Sequence, residues 1–297
     1  MSDLRAELLS FLTCPETGES LTGWDGITET ATLTAPISGR TYPVRDGIVC
    51  LLPEALQDAA TTEYAEKRAE MLARDAQVGD YDAMVGLRLF TAAEVPLTLS
   101  YLRLEPEHLL LEGGCGTGRM TPFFADRVRG LVCVDFSMAS LRVARRKLSA
   151  EQSAKTVFIQ ADLSKLPLRS DVFDRVGTFG VYEHIPTEDA RDRAVSELLR
   201  ICAPREHGSR FALSAYRWGA PIFWNAEKEG HHDGGIYFKR FTQNELRDLL
   251  SPHLQIEAMT EMLLYYHLLW GRKPARVHFA PGISKRSVGA SGVAFVS

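Results

Sequence analysis

Leu109-Leu110-Leu111-Glu112-Gly113-Gly114-Cys115-Gly116-Thr117-Gly118 is an apolar strand that ends in an acid and runs into a glycine-rich turn. The turn opens a helix. In a doubly wound sheet ligands collect at such a place, because glycine lets the backbone come close and the helix start offers free N–H groups. A dinucleotide fingerprint beginning at Gly114 would need glycine at 119, which is Arg119, and the lysine and Ser/Thr pair of a P-loop is absent. Phosphate cradling is therefore the weaker reading of this bend.

Outward from it, strand-like and helix-like segments alternate. Strands are expected at 108–112, 130–135, 156–161, 173–179 and 209–215, and helices at 120–128, 138–148 and 188–201. Repeats of this length predict an α/β fold with a doubly wound parallel sheet, because parallel neighbours need a crossover. Further on, Thr242 and Glu245 make a capping box for a helix ending at Leu250, and residues 254–260 alternate like a strand. The apolar stretch 262–270 is expected by default to pack in the core, with lining the acceptor pocket or forming a dimer contact as alternatives, and the glycine-rich 287–297 to form a last edge strand. Before the sheet, Leu4, Leu8, Leu9 and Leu12 mark a short helix, and 21–51 reads as short strands in hairpins. Residues 1–58 are thus read as a small β module, 59–107 as a helical linker or cap, and 108–297 as the main domain.

With 297 residues, 45% apolar and 24% charged, the chain can bury one large core or two unequal ones. No run approaches the roughly 18 apolar residues of a membrane helix, and the first ten residues lack a secretion-signal profile, so a soluble cytoplasmic protein is expected. Cys14, Cys50, Cys115, Cys133 and Cys202 are scattered without a C-x-x-C pair, which fits reduced thiols and no bound metal. The net charge is −4, yet the first 107 residues carry −10 and the rest +6. An acidic front is a poor platform for a phosphate backbone, so nucleic acid is a disfavoured partner.

Two further acids end the next two strands. Asp135 is placed to accept hydrogen bonds from both hydroxyls of a ribose, and Asp162 to take the exocyclic amine of an adenine. Three strand-end acids on one crevice suit a ligand with an amine, hydroxyls and positive charge rather than a pyrophosphate. Taken singly, each has the alternative of capping a loop.

The ordered set Glu112-x-Gly114-x-Gly116-x-Gly118, Val134-Asp135-Phe136-Ser137, Ala161-Asp162-Leu163, Leu166-Pro167, Phe173-Asp174 and Tyr182-Glu183-His184-Ile185 resembles the class I S-adenosylmethionine-dependent methyltransferases over about residues 90–260. The resemblance implies a Rossmann-like seven-stranded sheet with an antiparallel last strand, and S-adenosyl-L-methionine as cofactor. It implies that Glu112 and the bend through Gly113, Gly114, Gly116 and Gly118 face the methionine part. It also implies that Asp135, Phe136 and Ser137 hold the ribose, and that Asp162 and Leu163 border the adenine.

The front module resembles the zinc-ribbon-like domain fused to some methyltransferases, through Cys14-Pro15-Glu16-Thr17 and Ala35-Pro36-Ile37-Ser38-Gly39-Arg40-Thr41-Tyr42-Pro43. Thr17, Ala35 and Ser38 occupy three of the four ligand positions. Structural zinc wants four Cys or His, so the module is expected to keep the fold without the metal. Ribbon plus methyltransferase is similar to the bacterial 23S rRNA guanine-N1 methyltransferases, which makes RNA methylation the alternative to a small-molecule acceptor. A non-catalytic activator subunit is a third reading.

Methyl transfer from a sulfonium is an in-line displacement driven mainly by positioning, and a base is needed only for a protonated acceptor. His184 is the candidate base, with packing beside the cofactor as its alternative, and Tyr182 is similarly placed. The glycine-flanked segment 229–240 reads as a lid loop that offers His231, Tyr237 and Arg240 to the acceptor. Adjacent His231, His232 and Asp233 rarely reach one ion, so no metal is expected there. Arg142, Arg145 and Arg146 share a helix face, for phosphates or for solvent.

Overall fold

The computed structural model describes residues 2–81, 85–219, 227–232 and 235–274. The chain opens with helix α1 (Ser2–Leu9), strands β1 (Ala31–Thr34), β2 (Thr41–Arg45) and β3 (Ile48–Cys50), and helices α2 (Glu54–Gln57), α3 (Thr62–Tyr81) and α4 (Val85–Leu102). The alternating core follows as β4 (Leu109–Gly113), α5 (Thr121–Ala125), β5 (Gly130–Asp135), α6 (Met138–Arg146), α7 (Ala150–Ala154), β6 (Thr156–Gln160), β7 (Arg175–Phe179), α8 (Glu188–Ile201) and β8 (Arg210–Tyr216). It closes with the hairpin β9 (Glu229–His231) and β10 (Tyr237–Lys239), helix α9 (Gln243–Leu250), and strands β11 (Gln255–Met262) and β12 (Tyr266–Arg272).

Local chemistry accounts for the element ends. Ser137 caps α6, Thr187 caps α8, and the Thr242 and Glu245 capping box opens α9. In α3, Glu63 pairs with Lys67 at 2.9 Å and Glu70 with Arg74 at 3.0 Å, acid before base at i,i+4, the favourable order on a helix.

The main sheet runs β1-β2-β3-β6-β5-β4-β7-β8-β12-β11. From β3 to β8 all neighbours are parallel, and β12 is antiparallel to β8. Strand order reverses between β4 and β7, which opens a crevice at the carboxyl ends of the strands.

Where the resemblance implies seven strands, the sheet has ten among the described residues, because the front segment joins its edge. Asp46 and Gly47, with φ of 54° and 67°, turn β2 into β3, and β3 pairs Ile48, Val49 and Cys50 with Phe158, Ile159 and Gln160 of β6. Leu8, Leu12, Leu33, Val44, Val49 and Leu51 bury into one core with Leu111, Val132, Ile159 and Phe173. The backbone therefore hydrogen-bonds across the two sides of residue 58.

The charge asymmetry is resolved inside the molecule. Glu7 pairs with Arg129 at 2.7 Å, Glu16 with Lys165 at 2.9 Å, Glu29 with Arg145 at 2.5 Å, Asp46 with Arg142 at 2.7 Å and Glu63 with Arg193 at 2.5 Å. Such exposed pairs are worth about 0–1 kcal/mol each, so they orient the front segment while apolar burial holds it. Two members of the basic face of α6, Arg142 and Arg145, thus meet carboxylates.

Residues 262–270 join the core in part: Met262, His267, Leu268 and Leu269 are buried, whereas Leu263 and Leu264 are exposed. The stretch contains a turn and most of β12. The expected edge strand at 287–297 lies outside the described residues. No helix among the described residues is long and apolar enough to cross a membrane.

Leu51 is fully buried in the shared core. Leu51→Ala should cost about 2–5 kcal/mol and lower one cooperative melt of the whole chain, followed by circular dichroism. A separate early transition of the front segment, with the rest unshifted, would contradict the shared core.

Candidate functional site

One pocket opens at the carboxyl ends of β4 to β7, with α3 as its opposite wall. Glu112, Gly114, Gly116, Asp135, Phe136, Asp162, Leu163 and His184 line it from the sheet side.

Asp135 ends β5 and is the anchor. Its Oδ2 accepts the Gly116 N–H at 2.8 Å and its Oδ1 the Ser137 N–H at 2.8 Å. Burial raises its carboxyl above the ordinary range, against the pull of those two N–H groups. The bend that approaches it depends on glycine. Gly114 has φ of 71°, and a Cβ there would stand 2.4 Å from Val181 Cγ2; Gly116 has φ of 53°.

Glu112, at the end of β4, is buried and accepts the Thr121 hydroxyl at 2.6 Å. Desolvation pushes its carboxyl up to about 8. Asp162 accepts the Ser164 N–H at 2.8 Å on one oxygen and Lys67 Nζ at 2.8 Å on the other. Lys67 comes from α3 and also donates to Ser164 Oγ at 2.6 Å.

His184 follows β7 in a 3-10 turn. Its Nδ1 lies 2.6 Å from the Tyr237 carbonyl oxygen. A carbonyl only accepts, so Nδ1 carries the proton, and in the neutral ring Nε2 keeps a lone pair. Burial, and then the Arg74 charge, hold this imidazole well below its ordinary value, so it stays neutral.

Other candidates stand elsewhere. Ser137 is buried behind the pocket, where its hydroxyl caps α6 and donates to Asp75 Oδ1 at 2.5 Å. Gly113 and Gly118 are packing positions: a Cβ would stand 2.9 Å from a Leu198 methyl or 2.8 Å from the Ala144 methyl. Tyr182 is buried against Phe241, 5.3 Å between rings. Tyr237 donates its hydroxyl to Glu229 Oε1 at 2.6 Å, His231 is exposed with its ring 5.9 Å from that of Tyr237, and Arg240 lies buried over the Phe238 ring. None of these four lines the pocket. Tyr237 reaches it through its backbone: its carbonyl holds His184, and its N–H donates to Glu70 Oε2 at 3.1 Å.

Several pocket residues carry no motif. Lys67, Glu70, Arg74 and Gln77 line the wall from α3, and Arg119 from the end of the bend. Glu63, Lys67, Glu70 and Arg74 follow helical spacing, a signal easily read as a solvated face, yet Lys67 and Glu70 are only 6% exposed. Arg119 pairs with buried Glu94 at 2.6 Å, Glu94 accepts the Ser214 hydroxyl at 2.7 Å, and Ser214 accepts the Gly180 N–H at 3.0 Å. Beside this chain Glu183 is fully buried with neither carboxyl oxygen hydrogen-bonded among the described residues. Desolvation, helped by Glu94 and opposed by Arg74 and Arg119, pushes it up to about 8.

Comparison with known proteins places this geometry. Residues 110–205 match the methyltransferase domain family. The chain is 31% identical over 126 residues to the malonyl-[acyl-carrier protein] O-methyltransferase of Geobacter sulfurreducens, covering 42% of this chain and 45% of that protein. It is 31% identical over 109 residues to the methyltransferase GfsG of Streptomyces halstedii, covering 36% and 37%. The chain thus spans about half the length, or less, of the curated relatives it matches. The structure of DhpI in complex with SAM and HEP superposes with a TM-score of 0.58 at 18% identity, over 71% of this chain and 100% of that one, a likeness of fold. Over residues 110–205 the chain is thus similar to a methyltransferase domain, and its α/β fold is like that of the DhpI structure.

Glu183 generates a pH prediction. Its folded value of about 8 exceeds the ordinary 4.5, so the stability it leaves intact below pH 4.5 is lost as pH rises to about 8. Glu183→Gln should melt near wild type at pH 4 and above it at pH 8, the gap opening across that window. A gap that does not change with pH would contradict the buried, unpaired carboxyl.

Proposed function

We propose that the protein transfers a methyl group from S-adenosyl-L-methionine to an O, N or C atom of a small molecule. The observation that carries this reading is that Glu112, Asp135 and Asp162, from three successive parallel strands, line one pocket with the glycine bend. The residues fit the cofactor: at Gly116 a Cβ would meet nothing within 4 Å, so the backbone is open toward a ligand, and the acids answer an amine, hydroxyls and positive charge. When bound, the cofactor supplies a methyl group on a sulfonium.

The chain's own residues do the rest. Asp135, beside Phe136, accepts from the ribose hydroxyls, Asp162 and Leu163 border the adenine, and Glu112 and the bend face the methionine part. Neutral His184, oriented by the Tyr237 carbonyl, offers Nε2 to an acceptor proton. Lys67 and Arg74 close the pocket against water from α3.

A small acceptor is supported over RNA by the pairing of Arg142, Arg145 and Lys165 with front-segment carboxylates, and of Arg193 with Glu63 of α3, which takes from phosphates the cations they would need. The ribbon reading of the front segment is supported by Glu19. Its carboxylate accepts the Ile37 N–H at 2.6 Å, the Ser38 N–H at 3.1 Å and the Thr17 hydroxyl at 2.9 Å, bridging two turns that a ribbon would join through metal. We place this activity in the cytoplasm, where the five free thiols stay reduced.

Charge-assisted hydrogen bonds contribute roughly 1.5–3 kcal/mol, so Asp135→Ala should weaken cofactor binding about ten- to a hundredfold in calorimetry. Asp135→Asn, which keeps one acceptor oxygen, should lose less. Incubation with methyl-labelled cofactor and fractionated cell extract should put label into small molecules; label in RNA alone would overturn the acceptor class.

A further inference from the structure

The hairpin of β9 and β10 turns one residue of its edge toward the pocket wall. Within the hairpin the His232 N–H donates to the Ile236 carbonyl at 2.8 Å and the Arg240 N–H to the Lys228 carbonyl at 2.7 Å. Between them Tyr237 sends both of its backbone groups outward. Alternate residues of an antiparallel strand face away from their partner strand, and such edge groups must be satisfied from elsewhere. Here the Tyr237 N–H donates to Glu70 Oε2 at 3.1 Å, and the Tyr237 carbonyl accepts from His184 Nδ1 at 2.6 Å. The two peptide groups that flank its Cα are thereby fixed, one from α3 and one from the turn after β7.

Glu70 is firmly held at its own end. It is buried, and its other oxygen accepts Arg74 Nε at 3.0 Å, one turn further along α3. Each carboxylate oxygen therefore has a donor, and the group cannot rotate without giving up a charge-assisted bond. Glu70, Arg74 and His184 all line the pocket.

Ring packing and hydrogen bonding divide the work at His184. Tyr216 lies edge-on to the imidazole with centroids 5.3 Å apart, and His232 lies tilted at 6.1 Å. These contacts set the plane of the ring. They do not decide which nitrogen carries the proton, and that choice falls to the Tyr237 carbonyl, which accepts from Nδ1.

We propose that Glu70 is a positioning residue for His184: by holding the Tyr237 N–H it fixes the backbone whose carbonyl keeps the ring proton on Nδ1 and leaves the Nε2 lone pair to the acceptor. The acceptor class narrows accordingly to groups that must lose a proton, a hydroxyl or an N–H. This deepens the methyltransferase reading of the pocket and rests on it.

The test is nitrogen NMR of the full chain carrying isotope-labelled histidine, free and saturated with S-adenosylhomocysteine, with His184→Gln to identify the ring signals. The wild-type ring should carry its proton on Nδ1. In Glu70→Ala the share of rings protonated on Nε2 should rise about threefold to tenfold, the worth of one hydrogen bond. Glu70→Gln keeps an oxygen for the Tyr237 N–H and should stay near wild type, whereas a purely structural role for Glu70 would change melting and leave the ring proton where it was. If Glu70→Ala fails to fold, Glu70→Leu, which fills the same space without an acceptor, should show the same rise. A wild-type proton on Nε2, or a ratio that removing the carboxylate does not move, would overturn the inference. A Gln variant shifted as far as the Ala variant would do so too, by assigning the effect to the Arg74 ion pair. Failure of the wild type to bind S-adenosylhomocysteine would sink the methyltransferase reading by a separate signal from the one that decides the role of Glu70.

Discussion

The carboxylate of Asp135 is the constraint on which the site depends. It closes β5 and takes one backbone N–H from the glycine bend after β4 and another from the residue that caps α6. Two loops and a helix start are thereby referred to one side chain. Both donors are backbone groups, so the bend and the start of α6 are tied to each other through this one carboxylate. The acid is buried, which is unfavourable for charge, and the two donors offset part of that cost.

The opposite wall has another origin. α3 lies outside the alternating core, yet its charged face is turned inward: Lys67 meets Asp162, Arg74 meets Glu70, and Asp75 accepts both the Ser137 hydroxyl and, at 3.1 Å, the Ala139 N–H. Part of the acidic front and of the basic back of the sequence meet each other within the molecule, as Glu7 with Arg129, Glu29 with Arg145 and Asp46 with Arg142. β3 extends the same sheet through β6, and that strand ends at the acid-bearing loop. The front segment therefore stiffens the edge of the pocket nearest Asp162.

Much of this was legible in the sequence. Strand-end acids, the glycine bend and the cap of α9 are local signals, each tied to a backbone requirement that holds whatever surrounds it. The residues that failed did so for tertiary reasons. Ser137 sits in a motif beside Asp135, but its hydroxyl is committed to a helix cap. Tyr237 and Arg240 sit on a glycine-flanked hairpin and fold into aromatic packing. Lys67 and Arg74 carry no motif that marks them, because a charged stripe at helical spacing looks the same whether it meets water or a pocket full of carboxylates. Residues 262–270 are core only in part, because Leu263 and Leu264 turn the chain with left-handed φ and stay exposed between buried Met262 and buried Leu268 and Leu269.

The central claim is that Asp135 receives the ribose of an adenosyl compound. A crystal structure of the protein with S-adenosylhomocysteine tests it most directly. The account predicts ribose hydroxyl oxygens within hydrogen-bond distance of the Asp135 carboxylate and the adenine beside Asp162 and Leu163. Ligand density at any other place on the molecule, or in this pocket with the ribose turned away from Asp135, would contradict it.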